Sequence, residues 1–434
     1  MSRNGSIGVG LLGLGVVGSQ VARVLLEKSE RIAQQVGRQV TLRRILVRDR
    51  SKARDPLVPR SLLTVKASEV LEDPAVGVVV EVMGGEQPAL DYLRRALSSG
   101  RHAVTANKEV MAKHGPELIA LAEEAGVHLT YEASVGGGIP IIGALRNDLL
   151  ANEVTSLHAI INGTTNYILT KMAQEGLAFE TALGQAQALG YAEADPANDV
   201  EGLDAAFKLA ILASLAFHTQ VRGHEVYREG IARLTARDFQ YARELGYTIK
   251  LLAIASRTDD ALLLRVHPSM VPLGHLLAKV DGVFNAIEIQ GDLVGQVVFH
   301  GQGAGALPTS SAVAGDILEV ARSIASGRRP VRSGILNSRL RILPVEEMVT
   351  QYYARLTVTD RAGVLAQIAR TLGDLNISIA SVIQKNADPT TQTAEIVIMT
   401  HPAQEASVQQ AVRQARALDV VREVGSLIRV EHWS

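Results

Sequence analysis

An ammonium group set among carboxylates in an apolar helix can carry a proton to or from a substrate oxygen, and this sequence contains such a grouping. Gly190-Tyr191-Ala192-Glu193-Ala194-Asp195-Pro196 is followed by Asp199, Glu201, Asp204 and Lys208, so that five acids fall within twelve residues. Asp204 and Lys208 stand four apart in Leu203 to Phe217, whose pattern predicts a helix, and therefore share one face. The apolar run Leu203 to Leu215 around Lys208 would favour the neutral amine and suit it to general acid–base work. The competing reading is a solvated surface pair, worth about 0.3–0.5 kcal/mol. A second lysine, Lys108, closes Thr105-Ala106-Asn107-Lys108 at the end of an expected strand. That is the edge at which open α/β sheets bind ligands.

Gly13-Leu14-Gly15-Val16-Val17-Gly18 follows the apolar run Ile7 to Leu12 and leads into the helical pattern of Val21, Val24 and Leu25. A G-x-G-x-x-G turn between strand and helix lets backbone approach a pyrophosphate, with helix N–H groups and a positive dipole end facing it. The end of the second strand reads Val47-Arg48-Asp49-Arg50-Ser51-Lys52. Arg48, with Lys52 or Arg54, can pair with a ribose 2′-phosphate, while Asp49 can accept from a bare ribose; NADP is favoured and NAD stays open. A solvated charged loop is the alternative for this segment.

These groups need a scaffold, and the pattern supplies one. Strands at Ile7 to Leu12, Thr41 to Val47, Val76 to Val82 and His102 to Thr105 alternate with amphipathic segments such as Ala89 to Ser99 and Pro116 to Ala125. Such alternation predicts an α/β fold, a doubly wound Rossmann-type parallel sheet with helices on both faces. Glu132 to Pro140 is a Gly-rich break, beyond which helical stretches and the β-rich segments Leu262 to Pro268, Ala286 to Gln290 and Gly295 to His300 suggest an α+β unit. Gly301 to Gly305 interrupts again before a helix from Ser310 to Ser326. From Tyr352, strand (352–358), helix (362–374), strand (377–385), strand (394–400), helix (404–416) and strand (419–430) make a βαββαβ ferredoxin-like unit. The expected division is 1–133 for the dinucleotide-binding domain, completed by a helix at 310–327; 134–309 for substrate binding and dimerisation; a linker at 328–348; and a separate tail, 349–434.

At 434 residues the chain suits two or three domains, and 47% hydrophobic against 21% charged residues is globular rather than disordered composition. Lys and Arg number 44 against 45 Asp and Glu, so no global field draws the chain to nucleic acid or an anionic membrane. Small molecules are the expected partners. With no signal peptide and no apolar stretch of spanning length, the expected location is cytoplasmic. The chain has no cysteine, which removes disulfides, thiolate metal sites and a thiol nucleophile together.

Taken in order, Gly13 to Gly18, Val82-Met83-Gly84-Gly85, Thr105 to Lys108, Glu132 to Pro140, Gly190 to Lys208, and Gly301-Gln302-Gly303-Ala304-Gly305 with Pro308-Thr309 resemble the homoserine dehydrogenase family over essentially the whole chain. The resemblance implies NAD(P)-dependent interconversion of aspartate 4-semialdehyde and homoserine. It implies Lys208 as the group exchanging a proton with the substrate oxygen, Lys108 as its partner in polarising that oxygen, and Gly190, Glu193, Asp199 and Asp204 as substrate contacts. Cofactor contacts would fall on Gly13, Gly15, Val16, Val17, Gly18, Arg48, Lys52, Gly84, Thr105, Lys108, Gly303 and Gly305. It further implies a sodium ion on the Glu132 carboxylate and the carbonyls of Val135, Gly137 and Ile139, where Gly136-Gly137-Gly138 alone would read as a hinge. A homodimer or homotetramer is implied as well.

Asp360-Arg361-Ala362-Gly363-Val364-Leu365 and Asn376-Ile377 are similar to the amino-acid-binding ACT module. An effector, threonine by pathway logic, would sit at Asp360, Gly363, Val364 and Asn376; a pairing module that binds nothing is the alternative. Removal of residues beyond about Pro344 is accordingly expected to spare the chemistry and abolish feedback. A phosphorylating semialdehyde dehydrogenase would need a cysteine. A non-catalytic dinucleotide and amino-acid sensor, or another Rossmann-type oxidoreductase, are the remaining rivals. The first strand begins at Ile7, so a monofunctional enzyme without an upstream kinase is expected.

Overall fold

The computed structural model describes residues 5–328, 330, 340–385, 387–388 and 390–433, and these divide into two compact units, one made of the described residues within 1–154, 207–223 and 289–339 and the other of those within 155–206, 224–288 and 340–434. In the first, β1 (Ile7–Leu12), β2 (Val40–Leu46), β3 (Leu63–Thr64), β4 (Val76–Glu81), β5 (His102–Thr105) and β6 (Leu129–Thr130) form a parallel sheet ordered β3-β2-β1-β4-β5-β6. Every residue of β1 and β4 is buried, as a sheet covered on both faces requires. The helices α1 (Val16–Glu27), α2 (Ser29–Val36), α3 (Ala89–Ser98) and α4 (Lys108–Ala125) connect the strands. Helix Ala306–Ser326 closes the same core, packing Val313, Ile317 and Val320 with Val9, Leu11, Val78 and Val80. Each such side chain contributes roughly 1.5–3 kcal/mol of burial.

Two helices start earlier than their patterns indicate. Helix Ala306–Ser326 begins four residues ahead of Ser310, directly after Gly305 at φ +119°. Pro308 is tolerated because the first turn leaves its N–H groups unpaired. α4 begins at Lys108 because Asn107 caps it, its side chain accepting from Val110 N, and the helix continues through Pro116. The strands β3 and β6, of two residues each, are too short to leave a periodic signal.

The second unit contains β7 (Val154–Ile160), α5 (Gly163–Glu175), the start of α6 (Leu203–Ala216), β8 (Tyr247–Thr258), β9 (Ala261–Pro272) and β10 (Phe284–Gly291), which leaves the unit after Glu288. It also contains β11 (Val349–Thr359), α7 (Val364–Gly373), β12 (Ile379–Ile383), β13 (Thr393–Thr400), α8 (Glu405–Arg416) and β14 (Val421–Val430). The strands run in one mixed sheet ordered β10-β7-β8-β9-β14-β11-β13-β12. The βαββαβ order of the tail is as expected, and the tail falls in one compact unit with 155–206 and 224–288. β14 pairs with β9 through Ser269↔Arg429 and Met270↔Val430. Of the expected linker, 329 and 331–339 lie outside the described residues, whereas Arg341–Ile342 pairs with Ala261–Leu262 and Val345–Glu347 forms a 3₁₀ turn.

Buried ion pairs hold the tail in this unit. Arg355 Nε donates to Asp238 Oδ1 at 2.7 Å, the Ser426 and Tyr353 hydroxyls donate to the same carboxylate at 2.8 and 3.1 Å, and Thr235 N and Oγ1 do so at 2.8 Å. Arg429, fully buried, donates to Glu405 at 2.6 and 2.8 Å and to Glu229 at 2.8 Å. Burial pushes the Glu229 carboxyl up, but Arg429 beside it brings it below the usual range. Trp433 Nε1 donates to Glu288 at 2.7 Å while its ring stacks on His275 at 3.8 Å.

Candidate active site

In the first unit, the Gly13–Gly18 turn lies at the carboxyl end of β1. A side chain at Gly18 would meet the Gly13 carbonyl at 2.3 Å, and Gly13 takes φ +102° against β4's exit, so both positions admit only glycine. Gly15, the residue capping α1, has open space around it. Val17 packs on the core, whereas Val16 is 73% exposed at the mouth of the turn. This is a cradle that a pyrophosphate fits.

The charged loop after β2 divides its labour. Arg54 reaches back to the Leu14 carbonyl at 2.7 Å and the Asp49 carbonyl at 3.2 Å, bracing the turn. The Asp49 carboxylate accepts from Ser51 N and Oγ, both at 2.7 Å, and these bonds hold it below the usual range. Arg48 and Lys52 are exposed beside it.

Glu81, unmarked by the sequence reading, ends β4 opposite Thr105 and is fully buried. It accepts from Thr105 Oγ1 at 2.6 Å and Met83 N at 2.7 Å; burial raises its pKa, and these bonds oppose the rise. Thr105 Oγ1 accepts from Asn107 N at 3.0 Å, and Asn107 Nδ2 donates to the Gly85 carbonyl at 2.7 Å. The network locks the loop carrying Gly84 to the first turn of α4. Lys108, exposed, is the first residue of that helix rather than the last of a strand. The only signal for Glu81 was a charge in the otherwise apolar run Val76 to Met83.

The Gly-rich break packs against the second glycine cluster. Gly137, at φ +57°, lies so near Gly303 that a Cβ would sit 2.5 Å from its backbone, and Gly138 N donates to Gln302 O at 3.1 Å. The Glu132 carboxylate accepts from Ile141, Ile142 and Gly143 N–H at 2.7, 2.8 and 2.7 Å, and the Ile139 carbonyl accepts from Ile141 N at 2.9 Å. Burial raises the Glu132 pKa against those three donors. Asp316, which accepts from Glu132 N at 2.9 Å, is held well above its usual value by burial and by the Glu132 charge. Among the described residues no three His, Cys, Asp or Glu side chains gather as a metal site.

Lys208 belongs to the first unit and is buried, with 9% exposure, so the solvated-pair reading is overturned. Asp204, four residues earlier in α6, is buried in the second unit at 4%. There Asn162, also missed by the sequence reading, gathers the acids: its Nδ2 donates to Asp199 Oδ1 at 2.7 Å and Asp204 Oδ2 at 2.9 Å. Its Oδ1 meanwhile caps α5, accepting from Thr165 N at 2.9 Å. Thr164 Oγ1 donates to the Tyr191 carbonyl at 2.7 Å, anchoring the segment on which Gly190 takes φ +76° and Glu193 is exposed. Asn-Gly-Thr-Thr before an apolar run is an N-cap pattern, and its second Nδ2 task left no mark in sequence.

In the tail, Asp360 and Gly363 are exposed at the start of α7, with Gly363 at φ +87°. Asn376 is exposed at φ +57°. Val364 departs from the expected group: its side chain is buried in the core with Ile368 and Ile396.

Comparison with known proteins bears on all of this. Residues 13–132 match the family model for the homoserine dehydrogenase NAD binding domain, 140–318 that for homoserine dehydrogenase, and 352–420 that for the ACT domain. The chain is 43% identical to homoserine dehydrogenase of Neisseria gonorrhoeae, covering 98% of each chain, and 40% identical to that of Bacillus subtilis, covering 99% and 100%. Among solved structures, a homoserine dehydrogenase from Thiobacillus denitrificans superposes with TM-score 0.91 at 44% identity, over 98% of each chain. A hyperthermophilic archaeal homoserine dehydrogenase in complex with NADPH matches 73% of this chain and 97% of its own, with TM-score 0.62 and 29% identity.

Proposed function

Because the chain belongs to the homoserine dehydrogenase family, we propose that it oxidises homoserine to aspartate 4-semialdehyde and reduces it back, with Lys208 moving the proton. It is an oxidoreductase with an NAD-binding domain. The observation that carries the assignment of Lys208 is its burial on the helix that also carries Asp204, whose carboxylate accepts from Asn162.

A bound nicotinamide supplies or accepts the hydride. Lys208 accepts the hydroxyl proton during oxidation and returns it to the aldehyde oxygen during reduction. Lys108 stabilises charge on that oxygen. Asp204, Asp199 and Glu193, with Gly190, hold the substrate's ammonium and oxygen atoms. Asn162 is a positioning residue that keeps two of the carboxylates together. Asn162→Ala should lower kcat/KM for homoserine by roughly 10- to 100-fold, the worth of hydrogen bonds to charged groups. The KM for the cofactor should stay as in the parent, and a proportional loss of both would reduce Asn162 to a fold element.

NADP is the favoured cofactor, held by Gly13, Gly15, Val16, Val17, Gly18, Gly84, Thr105, Gly303 and Gly305, with Arg48 and Lys52 on the 2′-phosphate. Arg54 is spent on the turn itself. The test is a spectrophotometric assay of homoserine oxidation with NADP and NAD in parallel. Activity with homoserine supports the reading and inactivity with both cofactors refutes it. Arg48→Ala should raise the KM for NADP about tenfold and leave that for NAD within about twofold, one charge-assisted hydrogen bond being worth about 1.5–3 kcal/mol; equal changes would remove Arg48 from the phosphate.

The same reading places sodium on Glu132 and the Val135, Gly137 and Ile139 carbonyls. The donors are all oxygen, as a hard cation prefers. Three N–H donors occupy Glu132, leaving about one of four lone-pair positions for an ion, which would also relieve the repulsion with Asp316. Asp360, Gly363 and Asn376 are the proposed effector contacts, with threonine as the effector, and Val364 contributes through its backbone. A homodimer or homotetramer acting in the cytoplasm completes the proposal. Among the described residues no helix is long and apolar enough to cross a membrane.

A further inference from the structure

Within the second unit a hollow of about 540 Å³ opens between α8, β14 and the loop 229–234. Arg413 and Arg416, three apart on α8, line one wall, with Gln409 one turn earlier, and Arg233 lines the loop side. Two carboxylates also line it. Glu229 accepts from the buried Arg429 and from the Tyr227 hydroxyl and also feels the charge of Arg233, and Glu201 stands 3.8 Å from Arg228. Neither Arg413 nor Arg416 has an acidic partner among the described residues. Basic residues in the last turn of a helix are favoured by its dipole alone. The dipole does not account for Arg233 on a different element, for the apolar floor of Leu234 and Leu427, or for the hollow itself.

We propose that this hollow binds a small polyvalent anion, a phosphate ester or a polycarboxylate, gripped by the guanidinium groups of Arg233, Arg413 and Arg416. Planar guanidinium groups pair with both oxyanion types in bidentate fashion. The hollow is distinct from the positions proposed for the amino-acid effector. It is also lined by Val200 and Glu201, which lie between Asp199 and Asp204, so occupancy alters how homoserine binds; this coupling rests on the catalytic reading above, whereas the binding does not.

The test is calorimetric titration of the full chain saturated with NADP, so that the dinucleotide turn is filled, with citrate in one arm and pyrophosphate in the other. At least one should bind, and Arg413→Gln/Arg416→Gln should weaken it tenfold or more while the melting temperature and basal homoserine oxidation stay at parent values. Binding of citrate alone assigns a carboxylate ligand, and of pyrophosphate alone a phosphate ligand. Absence of binding in both arms, or undiminished binding by the double variant, overturns the proposal. A homoserine KM that shifts at least twofold with the anion in the parent and not in the double variant supports the coupling; an unmoved KM refutes the coupling alone. An enzyme that binds the anion but ignores homoserine would refute the catalytic reading and leave the site standing.

Discussion

Lys208→Ala lowers kcat for homoserine oxidation by about 10²–10⁴-fold, the range that a positioned general acid–base group contributes, while the dissociation constant for NADPH, read by fluorescence, stays within about twofold. The expectation follows from position. The side chain is buried on a helix whose neighbours, Leu209, Ala210 and Leu212, are fully buried and apolar, so no other side chain on that turn can replace its ammonium. Lys208→Arg keeps a charge but not the readily lost proton, and should be nearly as slow. An alanine variant with more than half the parent kcat would take Lys208 out of the chemistry. Lost NADPH binding would instead make it a cofactor-site residue.

Truncation after Pro344 gives the second large effect, and its sign differs from the sequence-based expectation. The chain lacking 345–434 should fail to accumulate as folded protein, because Asp238 and Glu229 lose Arg355 and Arg429 and β9 loses its neighbour β14. Removing one partner of a buried pair costs about 3–5 kcal/mol, and two such losses approach the roughly 5–15 kcal/mol by which domains are stable at all. Circular dichroism and thermal unfolding of the truncated chain decide the matter; a cooperative transition near the parent temperature would refute it. Feedback by threonine is therefore better tested in the intact chain with Asp360→Ala, at an exposed position.

The legible parts of this molecule were those with a periodic or punctuated signal. β1, β4 and β5 announce themselves as short apolar runs, and the glycines at 13, 15 and 18 mark a turn whose close contacts need two of them, Gly13 and Gly18. Other features depend on partners distant in sequence. Glu81 acquires its meaning only when β4 and β5 align it with Thr105, and Asn162 only when the segment near residue 200 returns to α5. Asp316 lies 184 residues from the Glu132 N–H it accepts. The tail's ties to the rest of its unit were illegible for the same reason: Arg355 and Arg429 look like surface charges in strands until Asp238, Glu405 and Glu229 are placed beside them.

The helix Leu203–Ala216 passes from one compact unit to the other between Ala206 and Phe207. Four residues of α-helix correspond to a rise of about 6 Å and a net turn of about 40°. The spacing along this helix of Asp204 and Lys208, to which we assign the substrate's anchoring and the proton, is thus metered by backbone hydrogen bonds, the stiffest ruler a chain possesses. One inserted residue would swing the amine a further 100° or so about the axis, which makes the tetrapeptide Asp204 to Phe207 far less forgiving of length changes than of substitutions.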